Sequence, residues 1–121
     1  MAAGPNAPTE AAAGGYRISI ASSQLSINAW GYWPPEVADA FTGEANAISR
    51  KLMLVSTFIL DAAELKPQGA EGQQALRALF RVLAAMNLAR GTFVANNMFT
   101  KMQLERLLRE SGLGERVAAV D

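Results

Sequence analysis

The segment Val55–Gly72, VSTFILDAAELKPQGAEG, constrains the fold of this chain more than any other. A largely apolar run, residues 54–60, precedes Asp61 and is rich in β-branched and aromatic side chains. So short a run, followed by a turn-like stretch with proline and glycine, favours a β-strand over a helix. We therefore predict a buried central strand that ends at Asp61, a polar loop, and a crossover helix that begins near Ala70.

Alternating patterns predict further strands on both sides of this segment. Apolar and polar residues alternate in Tyr16–Ile20 and in Leu25–Ala29, and two serines lie between the runs. This arrangement is typical of a β-hairpin. Residues 92–95 have the composition of a short strand, and residues 116–120 predict a short edge strand near the C-terminus. The sheet is therefore predicted to have four or five strands.

Helical periodicity separates these strands. Pro35 suits a first helical turn, and apolar residues recur at helical spacing from there to Leu52. The clearest helix is Ala70–Asn87, and Thr100 with Gln103 has the form of a capping box that begins a third helix. Alternation of strands and helices favours parallel strands joined by right-handed crossovers. The predicted fold class is α/β, with one mixed sheet packed against about three helices.

Composition limits the number of domains and the class of partner. The chain has 121 residues, of which 50% are hydrophobic and 18% are charged, so one domain with its own core is expected. Residues 1–15 are mostly small, contain proline and glycine and lack periodicity. We predict a flexible N-terminal tail there and a single domain over residues 16–121. The formal net charge is zero, which argues against binding to a nucleic-acid backbone.

The residue types present exclude several kinds of catalysis. Cysteine and histidine are absent, which removes disulfides, thiol nucleophiles, histidine-dependent triads and ordinary zinc sites. We therefore predict no catalytic residue, no metal and no cofactor. No apolar run approaches the roughly 20 residues that span a bilayer, and the N-terminus lacks the pattern of a signal peptide. A cytoplasmic protein without membrane contact is expected.

The predicted topology brings three loops together at one edge of the sheet. Parallel strands end at the same edge, and their loops are residues 29–35, 61–69 and 96–99. Ligands and partners of open α/β sheets tend to bind at such an edge. The first loop contains the aromatic cluster 30–33, WGYW, which either anchors a partner or closes the end of the core. We expect one of its three aromatic side chains to be exposed.

These elements resemble the STAS domain, the fold of bacterial anti-sigma-factor antagonists, over roughly Tyr16 to Val120. The hairpin followed by Gly31 and a helix is similar to the opening of that family. The stretch FILDAAEL, residues 58–65, is similar to its central strand, and LERLLRESGLGERVAAV, residues 104–120, to its last helix, glycine turn and final strand. The resemblance implies a non-catalytic protein-interaction module in bacterial regulation. Its partner would be an anti-sigma factor, a switch kinase or another STAS protein, and a homodimer is compatible with it.

The same resemblance implies that a phosphorylation switch is missing. Signalling members of the family carry a phosphorylatable serine, usually preceded by aspartate, at the start of the helix that follows the central strand. The corresponding positions here are Gly69 and Ala70, and Lys66–Gln74 contains no serine or threonine. A phosphate, with its charge of about −1.5 to −2, therefore cannot be attached at this helix start. We predict a constitutive or differently regulated binder.

The predicted partner contacts lie in the edge loops and at this helix start. Asp61 is most simply a residue that hydrogen-bonds nearby backbone in a turn, with direct partner contact as the alternative. Glu71 suits the first turn of a helix. The predicted partner-binding residues are Asp61, Pro67, Gln68, Gly69, Ala70, Glu71, Asn96, Asn97 and Trp33.

Two other functional hypotheses remain open from the sequence. A small ligand-binding or enzymatic α/β domain would use the same edge, with Asp61, Asn96 and Asn97 converging in a deep pocket. An all-helical assembly protein would result if residues 44–65 formed one helix. A deep pocket that contains a carboxylate with a strongly perturbed pKa would support the first alternative. The absence of strands would support the second.

Overall fold

The computed structural model describes residues 14–86 and 88–120. Most of the predicted N-terminal tail lies outside these residues, and Gly15, the last residue of that tail, already belongs to the first strand. Within the described residues there are five strands and four helices. In chain order they are β1 (Gly15–Ala21), β2 (Gln24–Gly31), α1 (Pro35–Ala47), α2 (Ser49–Leu52), β3 (Thr57–Leu65), α3 (Ala70–Ala85), β4 (Arg90–Ala95), α4 (Met98–Glu110) and β5 (Val117–Ala119).

The five strands form one mixed sheet in the order β1-β2-β3-β4-β5. β1 and β2 are antiparallel and form the predicted hairpin, whereas the neighbouring strands from β2 to β5 are parallel. The α/β prediction is therefore confirmed. The all-helical alternative is wrong, because residues 57–65 are a strand rather than part of a helix.

One face of the sheet carries the core. Residues paired across neighbouring strands point to the same side, so the register arranges the buried strand residues in rows. The rows are Leu25, Phe58, Gly91 and Val117, and then Ile27, Leu60 and Phe93. Crossovers between neighbouring parallel strands are almost always right-handed, which places the helices that connect sequential strands on one face. There α1, α3 and α4 contribute buried side chains that include Phe41, Leu76 and Leu107.

The helix after the hairpin is shorter than its sequence pattern predicts. α1 ends at Ala47, and Ile48 interrupts the helix with φ −99° and ψ 8° before the short α2. Leu52, at the end of α2, is buried like the apolar residues of α1. The apolar residues from Pro35 to Leu52 therefore pack against the same core, but they belong to two helices and not to one continuous helix.

β3 extends beyond its predicted end. The prediction that Asp61 ends the strand is wrong, because β3 continues to Leu65, with Ala62 and Leu65 buried. Asp61 Oδ1 accepts a hydrogen bond from the backbone N–H of Ala63 at 3.1 Å, where the register with β2 shifts. Asp61 thus stabilises a β-bulge, a local backbone role that is common for aspartate.

α4 begins earlier than predicted. The side chain of Asn97 accepts hydrogen bonds from the backbone N–H groups of Phe99 and Thr100, at 2.8 and 3.1 Å, so Asn97 is the N-cap. The predicted capping box is therefore wrong. Thr100 is instead buried, and its hydroxyl donates to the Leu65 carbonyl at 2.8 Å. This bond ties the first turn of α4 to the end of β3.

An aromatic cluster closes the core near β1. The ring of Trp33 lies 4.8 Å from that of Phe41 and 5.7 Å from that of Tyr16, and Tyr16 packs edge-on against Phe41 at 5.0 Å. The Tyr16 hydroxyl donates a hydrogen bond to Glu44 Oε1 at 3.0 Å. Burial raises the pKa of Tyr16 to about 12. This hydrogen bond and the negative charge of Glu44 contribute to the same increase.

This raised pKa predicts a loss of stability at alkaline pH. The folded protein keeps the Tyr16 proton between pH 10.0 and about 12, whereas the unfolded chain releases it from pH 10.0 upward. The unfolded state then binds fewer protons, so the contribution of Tyr16 is complete below pH 10.0 and is lost as pH rises to about 12. Urea unfolding across this window should show that Tyr16→Phe removes this component and that Tyr32→Phe keeps it. An equally steep alkaline loss in Tyr16→Phe would contradict the assignment.

Candidate functional site

The carboxyl ends of β2, β3 and β4 meet at one edge of the sheet, as the sequence predicts. The loop after β3, residues 66–69, lies beside the end of β2, because the backbone N–H of Lys66 donates to the Gly31 carbonyl at 3.1 Å. α3 follows this loop directly. We refer to residues 66–72, which are this loop and the beginning of α3, as the edge site.

The side chain of Gln68 fastens this loop to the end of β2. It is only 4% exposed. Its Oε1 accepts a hydrogen bond from the backbone N–H of Trp33 at 2.9 Å, and its Nε2 donates to the carbonyls of Gly31 at 2.9 Å and Lys66 at 2.7 Å. The buried amide therefore has partners for its oxygen and both of its hydrogens, as buried polar groups require.

Gly72 makes room for the Gln68 side chain. A Cβ at residue 72 would lie 2.5 Å from Gln68 Oε1 and 3.0 Å from Gln68 Cβ. Neither distance is compatible with ordinary van der Waals contact. Glycine therefore lets the first turn of α3 pack directly against the glutamine that holds the loop.

Two further glutamines hold the backbone of Gln68. Gln103 of α4 accepts from the Gln68 N–H at 2.8 Å and donates to the Gln68 carbonyl at 2.9 Å. Gln73 of α3 donates to the same carbonyl at 2.9 Å and accepts from Arg106 at 2.6 Å. The loop is thus bonded to β2 on one side and to α4 on the other, so its conformation is set without a partner.

The start of α3 is exposed. Gly69 is its N-cap residue and has no side chain with which to cap the helix. Ala70 and Glu71 are exposed and Pro67 is half-buried, and Glu71 interacts favourably with the positive end of the helix dipole. The Tyr32 hydroxyl lies over Gly69, where a Cβ would approach it to 2.6 Å. The edge site thus presents a small, hydroxyl-free helix start beside a tyrosine.

Solved structures show what fold this is. The chain is similar to the anti-sigma factor antagonist SpoIIAA in its unphosphorylated form, with a TM-score of 0.62 and 14% identity over 88% of each chain. It is also similar to the phosphorylated form of SpoIIAA, a Bacillus cell fate determinant, with a TM-score of 0.62 and 16% identity over 88% of this chain and 91% of that one. An anti-sigma factor antagonist from Mycobacterium paratuberculosis gives a TM-score of 0.59 and 15% identity over 88% of this chain and 85% of that one.

The chain has the STAS fold. No protein-family model matches its sequence, and no curated protein does either. At 14–16% identity the likeness to SpoIIAA and its relative shows the fold alone. Within this STAS fold, Ala70 is the first residue of the helix that follows the central strand, which is the position that the sequence resemblance assigned to it.

Some of the predicted partner-binding residues are buried in the structure and others are exposed. Trp33 and Gln68 are 1% and 4% exposed, so both side chains are packed inside the protein beneath the edge. Asp61 lies on β3 rather than in the loop, and the side-chain oxygen of Asn97 is used to cap α4. The remaining predicted residues are exposed or half-buried, and they are Pro67, Gly69, Ala70, Glu71 and Asn96.

The aromatic residues around the end of β2 take three different environments. Trp33 is in the core, whereas Tyr32 is 43% exposed. Trp30 is half-buried, and the Arg17 guanidinium lies 5.5 Å from the centre of its ring. The prediction that one of the three is exposed is confirmed for Tyr32. The Trp33 ring closes the core, which is the alternative to a partner anchor.

The sequence reasoning missed an exposed apolar cluster at the start of α4. Met98, Phe99 and Met102 are 72%, 70% and 58% exposed. The predicted capping box began the helix near Thr100 and left the first two of these residues in a loop. The signal that could have revealed the cluster was Asn97, a favoured N-cap residue, directly before an apolar pair with no place in the predicted core.

Two of the residues named for the enzymatic alternative have local structural roles. Asp61 lies within β3 and accepts a hydrogen bond from the backbone of Ala63, and the side chain of Asn97 caps α4. In the parts of the chain that the structure describes, no group of acidic side chains could hold a metal ion. None of the helices described there has the length and apolar character needed to cross a membrane.

Proposed function

We propose that this chain is a non-catalytic protein-interaction module of bacterial regulation, which binds an anti-sigma factor through the edge site in the cytoplasm. A switch kinase or another STAS protein, including a second copy in a homodimer, is the alternative partner. The observation that carries the proposal is the exposed, pre-formed start of α3 on a STAS fold. The solved structures of this fold named above are described as anti-sigma factor antagonists.

The hydrogen bonds around Gln68 favour such a binding role. A loop that must become ordered on binding loses conformational entropy, at about 0.5–1.5 kcal/mol for each immobilised side chain. Gln73 and Gln103 already hold both backbone groups of Gln68. The edge site therefore meets its partner in one conformation, and its surface contributes to affinity without that cost.

Binding at the edge site is independent of phosphorylation in this proposal. Residues 66–74 contain no serine or threonine, and Ala70 stands at the first position of α3. A phosphoryl group would bring a charge of about −1.5 to −2, which repels an acidic partner surface and is costly to desolvate against an apolar one. This chain has no hydroxyl on the helix start to carry that charge. The partner is therefore bound whenever it is present, or it is released by a mechanism other than phosphorylation of this helix start.

Ala70→Glu tests the proposal, because it places a permanent negative charge on the proposed interface. A glutamate in the first turn interacts favourably with the helix dipole, so the fold is expected to persist. Capture of the anti-sigma factors encoded in the same genome, each prepared as a purified protein, should weaken by about tenfold or more, which corresponds to about 1.4 kcal/mol. Surface plasmon resonance with the full chain immobilised measures this change.

The matched control is Ala78→Glu. Ala78 lies on the same helix, about two turns away, and is also exposed. The same substitution there adds the same charge away from the edge site, so affinity should be unchanged. If both variants bind as tightly as the wild-type chain, the interface lies elsewhere. If none of the purified anti-sigma factors binds the wild-type chain, the partner assignment is wrong.

A further inference from the structure

α4 has two faces with different roles. Its buried face consists of Thr100, Leu104, Leu107 and Leu108. A second stripe runs along the helix with spacings of three and four residues, so its members lie on one side of the helix. In order along α4, this stripe is Phe99, Met102, Arg106 and Arg109. The beginning of the stripe is apolar and its end is basic.

The same stripe lines a shallow, open depression beside the edge site, which we refer to as the groove. The apolar end is formed by Phe99 and Met102 together with Pro67, which belongs to the edge site. Phe99 and Met102 are 70% and 58% exposed, an unusual exposure for large apolar side chains that lie next to each other. Methionine also adapts its shape to a partner surface more readily than branched residues do.

The other end of the groove is basic. Arg106 and Arg109 line it, and Glu105 is the acidic residue among the lining side chains. Arg106 is partly neutralised, because its guanidinium group lies 3.5 Å from the carboxylate of Glu110, and it also donates a hydrogen bond to the uncharged amide of Gln73. Arg109 forms no ion pair with any acidic side chain among the described residues. The groove therefore offers an apolar anchor site followed by positive charge about 10 Å further along the helix.

We propose that this groove, lined by Phe99, Met102, Arg106 and Arg109, binds an amphipathic helix of a partner protein. The partner helix carries apolar anchors and, about two turns away on the same face, acidic side chains. Helices bind grooves through such anchors at helical spacing. The inference rests on the proposed function, because Pro67 joins the groove to the edge site, and it adds the chemistry of the partner segment.

A second copy of this chain fits the groove less well than an acidic helix. Two copies that met through this stripe with α4 parallel would bring Arg106 and Arg109 towards the same residues of the other copy, and with α4 antiparallel would place them against its apolar end. Like charges that face each other disfavour association, and so does the burial of a guanidinium group against apolar side chains without a carboxylate partner. The basic end therefore favours a partner of opposite charge over self-association.

A designed peptide tests the groove directly. The probe is an acetylated and amidated alanine-rich helix with two leucines one turn apart and two glutamates about two turns further along the same face. One control peptide has lysines in place of the glutamates, and another has the same composition with leucines and glutamates on opposite faces. Backbone amide shifts of the ¹⁵N-labelled full chain locate and measure the binding. The probe should bind with a dissociation constant below about 1 mM, and both controls should bind at least about tenfold more weakly.

Variants of the exposed stripe give the matched comparison. The double variant Phe99→Ala and Met102→Ala should weaken probe binding by about tenfold or more, because it removes the anchor site. Arg109→Glu should weaken binding of the probe. In this variant the affinity should also no longer fall when salt is added. The control is Met53→Ala with Leu54→Ala, since these side chains are also exposed, at 65% and 77%, but lie outside the groove. Circular dichroism confirms that each variant is folded.

Several outcomes would overturn the inference. They are equal binding of the opposite-face peptide, amide shifts that fall outside α4 and the edge site, and no binding of the probe up to about 1 mM. Concentration-dependent shifts of α4 without peptide would assign the groove to a second copy. If the probe fails while Ala70→Glu still weakens capture of an anti-sigma factor, this inference falls and the proposed function stands. If the probe binds as expected and Ala70→Glu has no effect on capture, the proposed function falls instead.

Discussion

Replacing Trp33 by alanine is expected to lower the free energy of unfolding by about 3–5 kcal/mol. The Trp33 side chain is 1% exposed and packs against Phe41 and Tyr16. Its indole N–H donates to the Gly15 carbonyl at 3.0 Å, so truncation also leaves that carbonyl without this partner. Because the backbone N–H of Trp33 is a partner of Gln68, a cavity here should also loosen the edge site.

The adjacent Tyr32→Ala is the matched control for this prediction. Tyr32 is also an aromatic residue, but its side chain is 43% exposed and does not belong to the core cluster. Its truncation should cost less than about 1 kcal/mol, as is usual for surface substitutions. Urea unfolding followed by circular dichroism measures both variants. A loss in Trp33→Ala no larger than that in Tyr32→Ala would show that the aromatic cluster does not stabilise the fold as described.

Gln68→Ala is expected to destabilise the chain by about 2–4 kcal/mol, because two backbone groups lose their hydrogen-bond partner. These are the N–H of Trp33 and the carbonyl of Lys66. The Gly31 carbonyl keeps one bond, from the N–H of Lys66, so it contributes less to the loss. The loop should also lose its fixed conformation, and binding at the edge site should weaken even where the variant remains folded.

Two comparisons separate this effect from a general loss of a glutamine. Gln74→Ala removes an exposed glutamine from α3 and should change stability by less than about 0.5 kcal/mol. Native-state hydrogen exchange at the amide of Trp33 should become faster in Gln68→Ala and remain unchanged in Gln74→Ala. Unchanged exchange at Trp33 in Gln68→Ala would mean that the buried amide does not hold the loop.

Local patterns were sufficient to predict most elements of the fold. The alternation in β1 and β2, the apolar stripe of α3 and the alternating order of elements each depend on neighbouring residues, and the structure agrees with all three. The errors lie at element ends. Asp61 was predicted to end its strand because aspartate is common in turns, but the pairing of β3 with β2 continues to Leu65. Pairing between strands outweighed the local preference.

The candidate site was predicted less completely, because its residues are distant in the sequence. The edge was located from topology alone, and Ala70 stands where the resemblance placed it. The roles of Gln68 and Gln103, which are 35 residues apart, required the packing of α4 beside the loop. A glutamine on a helix is ordinarily solvated, so no local pattern distinguishes Gln103, which is bonded to the loop, from Gln74, which is exposed.

The sequence by itself determined that this chain has a mixed α/β fold without cysteine or histidine chemistry, and that a helix begins near Ala70 in a segment without serine or threonine. These properties depend on composition and on periodicity between near neighbours. Only the tertiary structure shows that Gln68 is buried and holds the loop by hydrogen bonds, and that Asp61 stabilises a β-bulge. It also shows that Phe99 and Met102 are exposed on α4. Burial and hydrogen bonding at these positions depend on contacts between distant segments, which form only when the sheet and its helices pack together.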